Sequence, residues 1–367
     1  MRRRAMLPLL LAAPAFALRA EDAPRVAPRA LVFPRDFGAH PELRIEWWYA
    51  TGVIGNDDGV PLFGFQLTFF RSRTDVAQHS TSRFAARQLL FAHAALTDLR
   101  TRRLLHAGRI ARWNGDAAAS RAAAALGDTA VHIGDWRLRR EGPHDASRYQ
   151  ATLGDRDAGF AFALTLATTQ PLLLQGDAGF SRKGPDAAQA SHYYSQPQLA
   201  VSGELSLAER RLPVRGTAWL DHEWSEHLLP REAVGWDWIG INLADGSALT
   251  VFRLRRADGS AVWAGGSFRA RGGGVRAFAA DEVRFEPLRW WVSPASQARY
   301  PVRWRVATPA GRYEVNALLD AQELDSRMST GTIYWEGIAE LLVGDGGQRV
   351  GVGYLEMTGY AAPLRLG

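Results

Sequence analysis

The chain has 367 residues with 44 Lys and Arg against 38 Asp and Glu, a formal net charge of +6. Four of these arginines lie in the first 20 residues, so the remainder carries only +2, and its arginines are dispersed among acids rather than clustered as in a nucleic-acid-binding surface. No cysteine is present, which excludes disulfides, thiolate metal sites and cysteine nucleophiles.

The N-terminus has the features of an export signal. Three arginines at positions 2–4 precede a short apolar stretch that ends in Ala15-Phe16-Ala17, a small-x-small cleavage site. The apolar stretch is shorter than the roughly 20 residues of a membrane-spanning helix. We therefore expect residues 1–20 to be a cleaved signal peptide and the mature protein to be periplasmic, with an uncleaved membrane anchor as the alternative. No later segment predicts an integral membrane span.

The rest of the chain reads as short strands separated by turns. A leader or linker rich in Pro, Ala and Arg occupies residues 21–36, and two short stretches, 117–126 and 321–328, have helical composition. Turn signals such as Asp245-Gly246 and Asp258-Gly259 recur at the intervals of a barrel or sandwich. Strands are predicted at residues 45–54, 62–71, 90–97, 160–168, 199–207, 215–223, 236–243, 248–255, 302–306, 331–342 and 350–360. The pattern predicts an all-β protein.

An internal similarity indicates two domains. A Trp-rich strand at residues 46–52, a turn and a strand ending in Phe-Arg-x-Arg at 70–73 are echoed by residues 236–240 and 252–255. The length also suits two domains. We predict an N-terminal domain over residues 37–195 and a C-terminal domain over residues 196–367.

The segment 217–225 concentrates groups that could carry acid–base chemistry. On a strand, successive side chains point to opposite faces, so His222 and Trp224 share one face while Asp221 and Glu223 share the other. Such groups could supply a general acid, a general base and an aromatic wall. The alternative is a rim strand with solvated acids and a hydrogen-bonded core histidine.

Two further carboxylates fall on apolar faces of predicted strands. Asp237 shares a face with Ile239 and Ile241, and Glu46 shares a face with Trp48. A carboxylate in such a position is either paired with a cation or has a raised pKa, and a raised pKa suits proton donation. A structural pair with an arginine is the competing interpretation for each.

Metal and phosphate chemistry are not predicted. His222 and His227 are five residues apart, which places them on different faces of a helix and also of a strand. No glycine-rich loop opens a helix after a strand, and no nucleophile elbow occurs. We expect neither a metal nor a cofactor.

Several segments together resemble one family. The chain is similar to the two-domain, lipocalin-like AttH/carotenoid 1,2-hydratase (CrtC)-like proteins over nearly all of its mature length. The segments that carry the resemblance are 46–52 (EWWYATG), 63–71 (FGFQLTFFR), 92–98 (AHAALTD), 193–197 (YYSQP), 219–225 (WLDHEWS), 235–240 (GWDWIG), 334–337 (YWEG) and 353–360 (GYLEMTGY).

The resemblance implies two lipocalin-like antiparallel β-barrel domains with a pocket for an apolar ligand. It also implies a site: hydratases of the wider family protonate an isoprenoid double bond and add water without a cofactor. The catalytic candidates are Asp221, His222, Asp237 and Glu46. Aromatic walls for the ligand are expected at Trp48, Tyr194, Trp224, Trp236 and Trp238.

Two functions stay open at this stage. The chain resembles the exported AttH-like branch of the family, which is often found beside ABC transporter permeases. This resemblance implies a periplasmic binder of a lipid or isoprenoid-like molecule that serves export. The alternative is a carotenoid 1,2-hydratase-like lyase. Convergence of the four acid–base candidates in one closed pocket would favour chemistry, whereas carboxylates held in salt bridges would favour binding.

Overall fold

The computed structural model describes residues 26–56, 60–82, 84–116, 121–208 and 210–364. These residues form two antiparallel β-sheets and one short 3₁₀ helix, Arg35–Phe37. The predicted signal peptide, residues 1–20, lies outside the described residues. Across the described ranges, no helix is long and apolar enough to cross a membrane. The prediction of an all-β protein is confirmed.

The first sheet is a nearly closed barrel. Its order is β4-β3-β2-β1-β13-β12-β9-β8-β7-β6-β5, with β10 and β11 paired to β12, and the end strands β4 and β5 contact each other. The strands are β1 Ile45–Gly55, β2 Pro61–Arg73, β3 Gln88–Asp98, β4 Arg103–Trp113, β5 Ala122–Ala124, β6 Ala130–Ile133, β7 Trp136–Glu141, β8 Arg148–Asp155, β9 Phe160–Ala167, β10 Leu173–Leu174, β11 Phe180–Arg182, β12 Ala190–Leu207 and β13 Arg210–Ser225.

The second sheet repeats the same order of connections. It runs β17-β16-β15-β14-β23-β22-β20-β19-β18, with β21 paired to β22. In each sheet the first strand pairs with the second and with the last, so β1 corresponds to β14 and β13 to β23. The strands are β14 Gly235–Leu243, β15 Ala248–Arg255, β16 Ala261–Arg269, β17 Val275–Phe278, β18 Arg284–Val292, β19 Arg299–Thr308, β20 Gly311–Ala317, β21 Glu323–Ser326, β22 Thr332–Val343 and β23 Arg349–Met357.

Alternation of side chains fills the interior of each sheet and the space between the sheets. Along β9, every second residue from Phe160 to Leu166 packs into the first core, as expected for a strand with one buried face. β1 is buried on both faces: Trp48 enters the first core, whereas Tyr49 packs against Trp238 of the second sheet with ring centroids 5.4 Å apart. The two sheets therefore share an aromatic contact layer.

The change of sheet comes later in the chain than the predicted boundary. The division at 195/196 falls inside β12, which continues to pair with β13 on both sides of that position. The first sheet ends at Ser225 and the second begins at Gly235. We therefore propose to move the domain boundary to residues 226–234. Cross-strand pairing keeps β12 and β13 together in the first sheet.

Two local predictions are corrected as well. Residues 122–124 and 323–326, from the segments predicted helical, are strands β5 and β21, because pairing with β6 and β22 overrides the local helical propensity. Residues 117–120 lie outside the described part of the chain. The described portion of the predicted leader is docked: Val26 is buried and Asp36 is fully enclosed.

Candidate functional site between the two sheets

A cavity of about 180 Å³ lies between the outer face of the first sheet and the facing side of the second. Strands β1, β2, β12 and β13 supply one wall, and β14, β15, β22 and β23 supply the other. A cavity between rigid elements, lined mainly by apolar groups with a few polar ones, is the usual form of a small-molecule site. Its aromatic walls are Trp47, Tyr49, Phe70, Tyr193, Trp236, Trp238, Phe252 and Tyr334.

Asp221 is the one predicted acid that lines this cavity. It receives hydrogen bonds from Ser195 Oγ at 2.5 Å, Trp219 Nε1 at 2.6 Å and Tyr193 OH at 2.7 Å, and only 6% of it is exposed. Burial raises the pKa of Asp221 to about 7 and outweighs the three donors, which favour the ionised form. Asp221 is therefore poised to exchange a proton near neutral pH.

Two carboxyls that the sequence analysis missed face the same cavity. Glu336 on β22 and Glu356 on β23 are directly opposite each other in the strand register. Directly opposed side chains have Cβ atoms about 4.5–5.5 Å apart, so the two cannot both ionise cheaply. Burial and the charge of Glu356 raise the pKa of Glu336 well above its usual range. Burial, followed by the charges of Asp221 and Glu223, raises the pKa of Glu356 to about 7 despite a hydrogen bond from Trp236.

Three buried polar atoms on the cavity wall lack a hydrogen-bond partner. They are Tyr49 OH, Gln66 Oε1 and Glu336 Oε1. Leaving such a group unsatisfied costs about 1–3 kcal/mol, so buried polar groups are nearly always paired. Gln66 Oε1 is an acceptor, and a protonated Glu336 carboxyl can donate or accept. The cavity can therefore hold a molecule that carries a polar group as well as filling apolar space.

Lys183, the only lysine in the sequence, also lines the cavity. Its Nζ lies 2.8 Å from Glu223 Oε1, which also accepts a 2.5 Å hydrogen bond from Ser191 Oγ. The ammonium group sits 4.3 Å from the ring centre of Phe252 and 4.8 Å from that of Tyr193. Glu223 is therefore neutralised, whereas no cationic side chain among the described residues forms an ion pair with Asp221, Glu336 or Glu356.

Two other predicted catalytic residues, Glu46 and His222, lie inside the first barrel instead. Glu46 Oε1 is 2.9 Å from His222 Nε2 and 2.8 Å from His40 Nδ1, and Glu46 Oε2 accepts a 2.9 Å bond from Arg71 Nε. Burial opposes ionisation, but Arg71 and both histidines hold the pKa of Glu46 well below its usual range. Burial likewise opposes charge on His40, yet Glu46 and Asp36 raise its pKa to about 9.

The aromatic candidates Trp48, Tyr194 and Trp224 surround this internal cluster. Trp48 and Trp224 stack on the imidazoles of His222 and His40, with centroids 4.9 and 4.0 Å apart, and Tyr194 OH is 3.0 Å from His222 Nδ1. None of the three lines the cavity between the sheets. Their arrangement is that of a packed barrel interior.

His40, Glu46 and His222 offer donor atoms within 4.8 Å of one another, a set of the type that binds divalent metals. In the described structure each of these donors already has a hydrogen-bond partner, and Arg71 balances the charge of Glu46. The hydrogen bonds and the charge of this cluster are thus balanced within its own ion-pair network. The expectation that no metal is bound stays a prediction.

Asp237 is paired in the same way within the second sheet. Its Oδ2 accepts a 2.6 Å hydrogen bond from Arg253 Nε, and Tyr360 OH donates to Oδ1 at 2.8 Å. Asp237 faces Arg253 across β14 and β15, as Glu46 faces Arg71 across β1 and β2. The two carboxylate–arginine pairs occupy equivalent positions in the two sheets and so correspond to the internal repeat of the sequence. Trp236 and Trp238, on the opposite face of β14, do line the cavity.

A nearly closed barrel, a second sheet with the same connections and an aromatic-lined cavity between them define a two-domain, lipocalin-like all-β protein. The AttH-like family model matches residues 24–360, and the chain belongs to this family. No curated protein matches the chain with statistical significance.

Three solved structures are similar to the chain. A candidate AttH protein from Nitrosomonas europaea is 46% identical, with a TM-score of 0.82 over 92% of this chain and 99% of that chain. Kievitone hydratase from Nectria haematococca is 14% identical, with a TM-score of 0.67 over 94% and 95%. CghA is also 14% identical, with a TM-score of 0.53 over 90% and 94%. The last two show that the fold is shared.

Proposed function

We propose that the cavity between the sheets binds an apolar molecule and that its carboxyls add or remove water across a double bond of that molecule. The observation that carries this proposal is the set of three buried acids, Asp221, Glu336 and Glu356, that face an aromatic cavity without a paired cation among the described residues. A carboxyl kept protonated near neutral pH is the group that alkene protonation requires. The hydratase among the structural neighbours shares the fold and is consistent with this chemistry.

The proposed reaction uses the two sides of the cavity. The pair Glu336 and Glu356 holds a proton; one of its O–H bonds breaks as the alkene π electrons form a new C–H bond, which leaves a carbocation. Trp238 and its aromatic neighbours stabilise that cation through their ring faces. Water then forms the C–O bond, and its proton passes to Tyr193 as the Tyr193 hydroxyl proton moves to Asp221, 2.7 Å away. Dehydration is the reverse sequence.

A binding role without turnover is the second candidate. Glu46 and Asp237, two of the four predicted acid–base residues, are held in salt bridges, which is the outcome that favours a binder. In this form the protein would be a periplasmic carrier of a lipid or isoprenoid-like ligand that serves an ABC-type exporter. The periplasmic address rests on the predicted signal peptide, and the exporter rests on the family resemblance.

The two candidates are separated by native mass spectrometry with lipid extraction on full-length protein exported to the periplasm. Wild type is compared with Glu356→Gln and with the matched control Glu340→Gln, which changes a carboxyl on β22 outside the cavity. For an enzyme, wild type and control carry a species heavier by one water that Glu356→Gln lacks. One unchanged ligand in all three proteins would establish a binder and refute the hydratase. Absence of any apolar ligand would refute both.

A further inference from the structure

A second cavity, of about 260 Å³, lies on the other side of His93 and Tyr334. Both side chains line both cavities, so they form the partition between them. The second cavity is bordered by Met328, which is 94% exposed, and by Ser329 in the turn between β21 and β22. One side of this partition therefore faces the buried carboxyls and the other faces a surface turn.

The partition is a continuous chain of hydrogen bonds with a defined direction. Ser329 Oγ donates to Ser326 O at 3.1 Å, so it accepts from His93 Nε2 at 2.8 Å. A neutral imidazole carries one N–H, so His93 Nδ1 accepts from Tyr334 OH at 2.9 Å. Tyr334 OH in turn accepts from Gln66 Nε2 at 3.4 Å. The order Tyr334, His93, Ser329 thus links the two cavities through exchangeable protons.

Burial keeps His93 neutral. Burial, and then the charge of His106, lowers the pKa of His93 to about 4. His106 and Asp325 line the second cavity beside it. The titratable groups that line the first cavity are Tyr49, Lys183, Tyr193, Asp221, Glu223, His227, Tyr334, Glu336 and Glu356. A neutral imidazole between two hydroxyls can accept a proton at one nitrogen while it releases one from the other.

We propose that Tyr334, His93 and Ser329 relay protons between the carboxyls of the cavity between the sheets and the second cavity, which is their port to solvent. Tyr334 and Glu336 are two residues apart on one face of β22, roughly 7 Å along the strand, and the cavity has room for a bridging water. This inference deepens the proposed function, because a hydratase must return the proton that it takes from water to the acid that protonates the alkene.

Each proton transfer along the relay conserves the number of protons on every group. In the outward direction, a proton bonds to Tyr334 Oη while the tyrosine proton moves to His93 Nδ1. The proton on His93 Nε2 then passes to Ser329 Oγ, whose own proton enters the second cavity. The imidazole is left as its other tautomer, and an inward transfer restores the first. One outward and one inward passage complete the cycle.

The relay is tested on ligand-free full-length protein, so the result does not depend on turnover. A rapid pH jump across about 7, the pKa of Glu356, changes the infrared carbonyl band of protonated carboxyls, which Glu356→Gln identifies. We expect His93→Gln and Tyr334→Phe to slow this change on the order of 10²-fold. Thr332→Val, which removes a hydroxyl from the same cavity wall without touching the chain of bonds, keeps the wild-type rate.

A chemical rescue separates a relay from a merely structural role. Imidazole added to His93→Ala should restore fast protonation, since the vacated space adjoins the second cavity. Tyr334→Phe loses a single oxygen atom and stays informative if the His93 variants fold poorly. Wild-type protonation rates in both Tyr334→Phe and His93→Gln would overturn the proposal. If the relay is refuted in this way, the mass-spectrometry test of the hydratase proposal is unaffected. Slower protonation in the variants supports the relay even if no substrate is found.

Discussion

Asp221 permits a test of the cavity electrostatics that needs no substrate. The pKa of this carboxyl is about 7 in the folded protein and 3.8 in its ordinary state, because burial penalises the charged form. Below pH 3.8 both the folded and the unfolded chain hold the proton, so the pKa difference does not lower the free energy of unfolding. Between about pH 4 and pH 7 the unfolded chain ionises while the folded protein does not, so stability falls as pH rises. Above pH 7 both are ionised and the loss is constant.

The size of this loss follows from the two pKa values. Their difference corresponds to about 4 kcal/mol of unfolding free energy across that window. In Asp221→Asn this contribution disappears. The variant also sets an amide against the donors Tyr193, Ser195 and Trp219, which adds a cost of about 1–3 kcal/mol that does not vary with pH. The informative quantity is therefore the pH slope of the difference between the two proteins rather than its value at one pH.

The assay is urea unfolding followed by tryptophan fluorescence, at a series of pH values from 4 to 8, for wild type, Asp221→Asn and the control Glu340→Gln. We expect the stability of Asp221→Asn relative to wild type to rise by about 4 kcal/mol between the ends of the window. The control should follow wild type in parallel. A constant difference would refute the raised pKa. A relative stability that falls with pH would show that the three hydrogen bonds outweigh burial and keep Asp221 ionised.

The internal cluster of the first barrel gives two further predictions. Arg71→Met leaves Glu46 without its main cation in a fully buried site and should destabilise the protein by about 3–5 kcal/mol in urea unfolding, with ligand capture unchanged at a temperature where the variant is folded; wild-type stability would contradict the ion-pair interpretation. His40, whose pKa is raised to about 9, stabilises fully below pH 6.5 and loses this contribution as pH rises through 9, about 3 kcal/mol in all. His40→Gln should lack that alkaline decline, and an identical decline in both proteins would exclude His40 as its origin.

The alternation of side chains along single strands predicted which residues share a face. It did not predict which part of the protein each face packs against. It separated Asp221 from His222 and Trp224 correctly, and it placed Asp237 opposite Trp236 and Trp238. It could not tell that the His222 face fills a barrel while the Asp221 face meets the second sheet, because β13 is buried on both sides. For Asp237 it left a salt bridge and a raised pKa open, and the structure contains the salt bridge.

Glu336 and Glu356 were beyond sequence reasoning for a different reason. Both stand in segments that carry the family resemblance, but their significance arises from the register of β22 and β23, which sets them opposite each other. Register depends on the turn and on cross-strand packing over the whole hairpin. Lys183 is the only lysine in the sequence, yet nothing local to it predicts contact with Phe252 from the second sheet.

The duplicated topology explains why paired and unpaired acids occupy different faces. In each sheet a carboxylate of the first strand meets an arginine of the second, Glu46 with Arg71 and Asp237 with Arg253, and both pairs point into a sheet interior where an unpaired charge would be expensive. Asp221 on β13 and Glu356 on β23 face the cavity between the sheets, and among the described residues neither is paired with an arginine. Duplication alone would have produced two similar sheets. The absence of the paired arginine on the shared faces leaves buried acids that hold protons near neutral pH, which is the property that the proposed chemistry uses.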